Sequence, residues 1–150
     1  PDAEEFEENS NRDFVYDVPK SLTVEYWFRK NHVTKHPNQN RIFAVKSGLD
    51  KMQRILEGDT KRKSFKRLHR WKYSPTAAYG NNEVHLHPYK IRRLSVAEAM
   101  AIQSLPENFI LPNDISLTAM FKMIGNGVPY LMAECIAKTL KELVIQIYDV

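Results

Sequence analysis

A chain of 150 residues with 43% apolar side chains can form one modest domain, or one piece of a larger one. No apolar run approaches the roughly twenty residues of a membrane span and no apolar segment follows a basic N-terminus as a secretory signal would, so a soluble, cytoplasmic protein is expected. The single cysteine, Cys135, excludes a disulfide framework, and its place on an apolar helical face reads as a buried thiol in a reducing compartment.

The net charge of +4 is unevenly spread. Residues 1–17 carry seven acids against Arg12, residues 41–73 carry eleven Lys or Arg against three acids, and residues 94–150 carry six acids against three lysines. The basic middle suits a phosphate backbone or is a solvated surface. A start at Pro1 without a methionine is expected of a fragment or a processed product.

Residues 1–12 hold too little apolar surface to offset the entropy of ordering, so this acidic segment is expected to be mobile or to dock on something basic. Phe14 to Val18 reads as a strand, and Leu22 to Phe28 as a short element of unassigned type. After loop signals from Asn31 to Asn40, Ile42 to Val45 suggests a strand and Leu49 to Glu57 a brief helix closed by Gly58. Lys61, Arg62, Lys63, Lys66, Arg67 and Arg70 then alternate with Phe65, Trp71 and Tyr73, a pattern in which cations hold phosphates and rings stack on bases or on the protein. A loop from Ser74 to Asn82 precedes a strand from Glu83 to His87, ended by Pro88. His85 and His87 share a strand face and His32 lies near His36, but neither pair has Cys or carboxylate partners at ligand spacing, so no metal site is expected.

Ser95 and Glu98 form a capping box for a helix from Val96 to Gln103 or Ser104. Ser116 caps another short helix to about Met123. Ile124-Gly125-Asn126-Gly127-Val128-Pro129-Tyr130 reads as a tight turn in which the glycines can take positive φ without steric cost, opening into the longest helix at about Val128 or Pro129. Leu131, Met132, Cys135, Ile136, Leu140, Leu143, Val144 and Ile147 recur along that helix at one buried face. Its N-terminal N–H groups suit a carboxylate or phosphate, unless the turn only joins two packed helices.

The run Arg92-Arg93-Leu94-Ser95-Val96-Ala97-Glu98 through Gln103 and Pro106, followed by Phe121 to Pro129 with its Gly125-Asn126-Gly127-Val128-Pro129, strongly resembles the last two motifs of the cytosine-5 DNA methyltransferases. Tyr73-Ser74-Pro75-Thr76-Ala77-Ala78-Tyr79-Gly80 resembles the end of their target-recognition region. Residues 73 to about 140 carry the likeness, and residues 13–72 share only its general character. Ala77, Ala97, Leu105 and Met123 depart from the residues usual at their positions, which loosens any contact inferred through them.

The resemblance implies an α+β arrangement: residues 1–12 acidic, residues 13–90 a partial target-recognition domain of short strands and loops, and residues 91–150 helices that normally pack on a Rossmann-like methyltransferase domain. It implies S-adenosylmethionine as cofactor, bordered by Asn126, Gly127 and Val128, and double-stranded DNA as partner. Thr76, Gly80, Asn81 and Asn82 would lie in a DNA-facing loop, and Arg92 would grip a phosphate or form a structural salt bridge. No catalytic residue is assigned, because the family's Pro-Cys nucleophile, its Glu-Asn-Val and its Phe-x-Gly-x-Gly loop are all missing. The chain is therefore expected to be inactive alone, as a fragment or as the smaller subunit of a split enzyme, with the catalytic part supplied in cis or in trans. A nucleic-acid-binding module unrelated to methyl transfer is the alternative left open by residues 60–72.

Overall fold

The computed structural model of the chain describes residues 3–15, 17–45, 48–62, 64–77, 79 and 84–148. Thr23, whose hydroxyl accepts from the Tyr26 N–H, caps helix α1 (Val24–Lys30), and Gly48, at φ +84°, precedes the short α2 (Leu49–Gln53). Strands β1 (Phe65–Arg67) and β2 (Val84–Leu86) pair in parallel, with Phe65 opposite Val84 and Arg67 opposite Leu86. Helices α3 (Val96–Ile102), α4 (Leu117–Asn126) and α5 (Tyr130–Tyr148) complete the α+β arrangement.

Helix α3 is the hub. Its capping box forms as expected: Ser95 Oγ accepts from the Glu98 N–H at 3.2 Å and the Glu98 carboxylate accepts from the Ser95 N–H at 2.8 Å. Every residue from Val96 to Ala101 is buried, and the small side chains of Ala97, Ala99 and Ala101 let neighbours approach from two sides. On one side Ala97 and Ala101 meet Val24, Phe28, Val33, Leu68 and Leu94. On the other, Val96, Ala99 and Met100 meet Tyr79 and the α4 residues Met120, Phe121 and Ile124. A smaller cluster of Met52, Ile55 and Leu86 ties α2 to β2.

Several expectations need correction. Phe14 and Val15 lie in no strand; Phe14 instead sets its ring edge-on to Trp71, 5.5 Å away. Of the stretch from Ile42 to Val45, only Ile42 makes a bridge, to Ser95. Helix α2 ends at Gln53, although Gly58 does take a left-handed φ of +87°. The strand at Phe65–Arg67 had no signal of its own amid the basic residues, and it exists because Val84–Leu86 supplies its hydrogen-bonding partner.

The acidic N-terminal segment is not loose over its described part. Glu4 and Glu57 exchange backbone hydrogen bonds of 2.9 and 2.8 Å, and the Glu4 carboxylate pairs with Arg12 and, at 3.3 Å, with His69. The segment docks on the chain's own basic stretch. Partial burial pushes the Glu4 pKa up, but its hydrogen bonds with His69 and Arg12 outweigh burial and hold it below the usual carboxylate range.

Candidate functional site

The turn at 125–128 differs from its expected form. Gly125 and Asn126 belong to α4, and Gly127 has φ −75°, so neither glycine takes positive φ. Gly125 is needed for closeness, since it lies against the backbone of Ala77 and Tyr79.

Gln103 organises the turn. Its Nε2 donates to the Ile124 carbonyl at 2.9 Å and to the Gly127 carbonyl at 3.4 Å, while its backbone carbonyl accepts from the Tyr130 N–H at 2.9 Å. Ser104 Oγ accepts from the Leu131 N–H at 3.1 Å. Two N–H groups of the first α5 turn are thus already engaged, and Pro129 has none. The expected carboxylate cradle at this helix end is to that extent filled from inside the chain.

Beside the turn lies a cleft of about 580 Å³, bordered by Trp27, Thr76, Gln103, Gly127 and Met132 among others. Thr76 and Gly127, assigned from the sequence to different tasks, meet here. Val128 faces a separate apolar recess of about 160 Å³ with Phe109, Leu111 and Met123. Asn126, Gly127 and Val128 are all exposed.

Helix α5 carries no buried residue. Met132, Ile136, Leu140, Val144 and Ile147 are each more than half exposed, so the apolar face read from the sequence exists but is left uncovered by the described residues. Cys135 is likewise exposed, contrary to the buried thiol expected.

The basic stretch divides in two. Lys61 and Arg62 are exposed, Arg62 pairing with Asp59 at 2.8 Å, and Lys66 is half-buried. Arg67 and Arg70 turn inward, which corrects their assignment to phosphate contacts. Arg67 is fully buried, donating to the carbonyls of Met52, Ile55, His87 and Lys90. Burial lowers its pKa to about 10, although Glu57 opposes the shift. Arg70 clamps the buried Glu57 through both Nε and Nη2 at 2.8 Å. Lys63, Gly80, Asn81 and Asn82 lie outside the described residues.

Arg92 forms the structural salt bridge that the sequence left as one of two readings: Nη2 and Nη1 reach the two Glu98 carboxylate oxygens at 2.7 and 2.8 Å. Beneath it, buried His87 faces Glu98 with Nε2 3.5 Å from Oε1, and its Nδ1 accepts from the Tyr89 N–H at 3.2 Å. Nδ1 as acceptor leaves the proton on Nε2, directed at the carboxylate. The sequence reading overlooked this buried triad, although the capping-box Glu98 signalled half of it. Among the described residues no helix is long and apolar enough to cross a membrane, and no cluster of His, Cys, Asp and Glu could hold a metal ion.

The type II methyltransferase M.NmeDI of Neisseria meningitidis serogroup C is 61% identical over 128 residues, which are 85% of this chain and 30% of that protein. The putative type II methyltransferase M.OihORF3336P of Oceanobacillus iheyensis is 48% identical over 58 residues, 39% of this chain and 12% of that protein. M.AquIB of Picosynechococcus sp., a type II methyltransferase, is 25% identical over 129 residues, covering 75% of this chain and 92% of its own length. The chain thus spans under a third of the first relative, and no solved structure matches it. The sequence model of the C-5 cytosine-specific DNA methylases matches residues 2–142, and the chain belongs to that family.

Proposed function

We propose that this chain is the recognition and closing portion of a cytosine-5 DNA methyltransferase of a restriction-modification system, acting in the cytoplasm on double-stranded DNA. Polypeptide carrying the family's Pro-Cys and Gly-rich motifs, in cis or in trans, completes it. The uncovered apolar face of α5, from Met132 to Ile147, carries this reading. A helix with that pattern and no partner is one face of an interface, and it adjoins the turn that matches the family's last motif.

S-adenosylmethionine, when bound, supplies the methyl group. Asn126, Gly127 and Val128 border it from the exposed turn that Gln103 holds in place. With the Tyr130 and Leu131 N–H groups already engaged, this chain contributes shape and apolar contact there more than anion binding. Thr76, Gly80, Asn81 and Asn82 face DNA from the loop before β2, and Lys61, Arg62, Lys63 and Lys66 hold its phosphates. Covalent attack at carbon 6 of cytosine, which makes carbon 5 nucleophilic, is left to the completing polypeptide: Cys135 lies within α5 after Glu134, in no Pro-Cys motif.

The test is methyl transfer from S-adenosylmethionine to duplex DNA by the pure chain, by a polypeptide bearing the missing motifs, and by the two together. Transfer by the mixture alone is expected. Robust transfer by the pure chain overturns the reading, as does a mixture in which Ile136→Lys and Leu140→Lys leave association unchanged.

A further inference from the structure

A second cavity, of about 390 Å³, opens between the strand pair and α4 and shares no lining residue with the cleft beside the turn. Four of the ten described residues that line it are Phe or Tyr, namely Phe43, Phe65, Tyr79 and Phe121, and His85 and Arg93 stand among the rest. The rings hold one another in place. Phe43 and Phe121 lie 5.2 Å apart at 34°, Tyr79 meets Phe121 edge-on at 5.3 Å, and the Tyr79 hydroxyl and His85 Nδ1 share a hydrogen bond of 3.2 Å. A wall so braced is preformed rather than assembled by a ligand.

Arg93 is the odd member. Arg12, Arg70 and Arg92 each hold a carboxylate, and Arg41 and Arg67 hold backbone carbonyls. Among the described residues, the half-buried Arg93 guanidinium meets the face of Phe43, 5.2 Å away, and no carboxylate reaches it. Burial pushes its pKa down with no neighbouring acid opposing the shift. A cation–π contact offsets part of the desolvation and leaves room for an anion. Lys51 adds a second cation close by, its Nζ 5.3 Å from the Phe65 ring.

We propose that this cavity binds one nucleotide, its base against the half-buried Phe43 and Phe65 rings, with Phe43 backed by the buried Phe121, and its phosphate on Arg93. A flat wall selects a flat ligand, the guanidinium selects an anion, and the volume suits a small ligand of that class. Ser64 and Thr118 place hydroxyls on the lining within reach of sugar or phosphate oxygens. Stacking accepts any base, so the pocket discriminates little among them. The nucleotide comes either free or as an unstacked residue of a DNA strand. Phe65 belongs to the alternating basic and aromatic stretch, which gains a role that Arg67 and Arg70, both turned inward, do not fill.

The whole chain, labelled for NMR of its aromatic rings, is titrated with dCMP, with a single-stranded tetranucleotide, with the matching duplex and with inorganic phosphate. Shifts of the Phe43, Phe65 and Phe121 signals with dCMP identify a free nucleotide as the source; shifts with the single strand alone identify an unstacked residue. Both support the proposal. Arg93→Gln removes the phosphate partner and Thr118→Trp fills the cavity from an exposed position on α4, and each weakens binding at least tenfold. Should Arg93→Gln fail to fold, Thr118→Trp carries the test. No ring shifts with dCMP or single strand, unchanged affinity in Thr118→Trp, or inorganic phosphate binding as tightly as dCMP overturns the proposal. Methyl transfer by the completed enzyme is read separately, so failure here leaves the methyltransferase reading standing.

Discussion

Gly125 and Tyr79 meet backbone to backbone: a Cβ on Gly125 would lie 2.7 Å from both the amide nitrogen and the carbonyl oxygen of Tyr79. Neither atom belongs to a flexible side chain, so the clash moves either α4 or the segment that carries Tyr79. An alanine gains about 1 kcal/mol of helix propensity over glycine, against overpacking of about 1–3 kcal/mol. Gly125→Ala is therefore expected to lower the urea midpoint. Gly127→Ala makes a useful contrast, because its Cβ would meet only the Ile124 and Met123 carbonyls at 3.4 and 3.5 Å, at φ −75°. It should be neutral or slightly stabilising through the unfolded chain, by about 0.5 kcal/mol. The reverse order of the two variants sinks this account of the turn.

Ser104 closes α3 in a left-handed conformation, φ +53°, with its N–H bonded to the Ala101 carbonyl and the Leu105 N–H to that of Met100. Glycine is the usual residue at such a helix end. Serine is accounted for by its hydroxyl, which accepts from the Leu131 N–H at the start of α5. Ser104→Ala keeps the backbone strain and loses that cap, a cost of about 1 kcal/mol. Ser104→Gly loses the cap and sheds the strain, so it should be the more stable of the two. Hydrogen exchange at Leu131 and Met132 reads the cap directly and should speed up in both.

How much of this was legible in the sequence follows the range of the forces involved. The Ser95–Glu98 capping box, the Ser116 cap and the start of α5 were readable because the groups that decide them lie within one helical turn. The strand at Phe65–Arg67 was not, because its partner lies beyond a crossover and its own residues carry no alternation. The glycine turn was placed too early, since Gly125 and Asn126 still belong to α4, and what Gly125 allows is a close approach to Tyr79, which no local pattern discloses. In the same way Lys61 and Arg67 look alike in a basic run, and only the fold separates an exposed cation from one that ties four carbonyls together.

That separation is measurable. Arg67→Met removes the donors of the Met52, Ile55, His87 and Lys90 carbonyls inside the protein, and buried acceptors left without partners cost about 1–3 kcal/mol each. A loss of about 3 kcal/mol or more, or some 10 °C in melting temperature, is expected. Lys61→Ala and Arg62→Ala should change stability by under about 0.5 kcal/mol, since both side chains are exposed. In a complex with duplex DNA they should instead weaken affinity and flatten its salt dependence, by about one unit of slope for each phosphate no longer neutralised. A stable Arg67→Met chain with impaired DNA binding would return Arg67 to the surface role first read from the sequence.

His87 makes stability depend on pH. Burial holds its pKa down at about 3 although Glu98 pulls the other way, and the unfolded chain takes the ordinary value of 6.5. The sign follows: as pH falls below about 6.5 the unfolded state binds a proton that the folded state refuses, so stability is full above that value and declines towards pH 3. One proton corresponds to a slope of about 1.4 kcal/mol per pH unit at most. Glu98 acts in a lower window. Burial raises its pKa, but Arg92 and His87 outweigh burial and hold it below 4.5, so its contribution is present above that value and fades as pH drops through the folded one. His69, also lowered by burial, adds to the first window. Urea unfolding from pH 7.5 to 5 should therefore show a falling midpoint in the native chain and a shallower fall in His87→Gln, which keeps a polar group near Glu98 but cannot titrate. Equal slopes in the two proteins would show that folding does not shift the His87 pKa, and a steeper fall in His87→Gln than in the native chain would show His87 protonated in the folded state and paired with Glu98 as an ion.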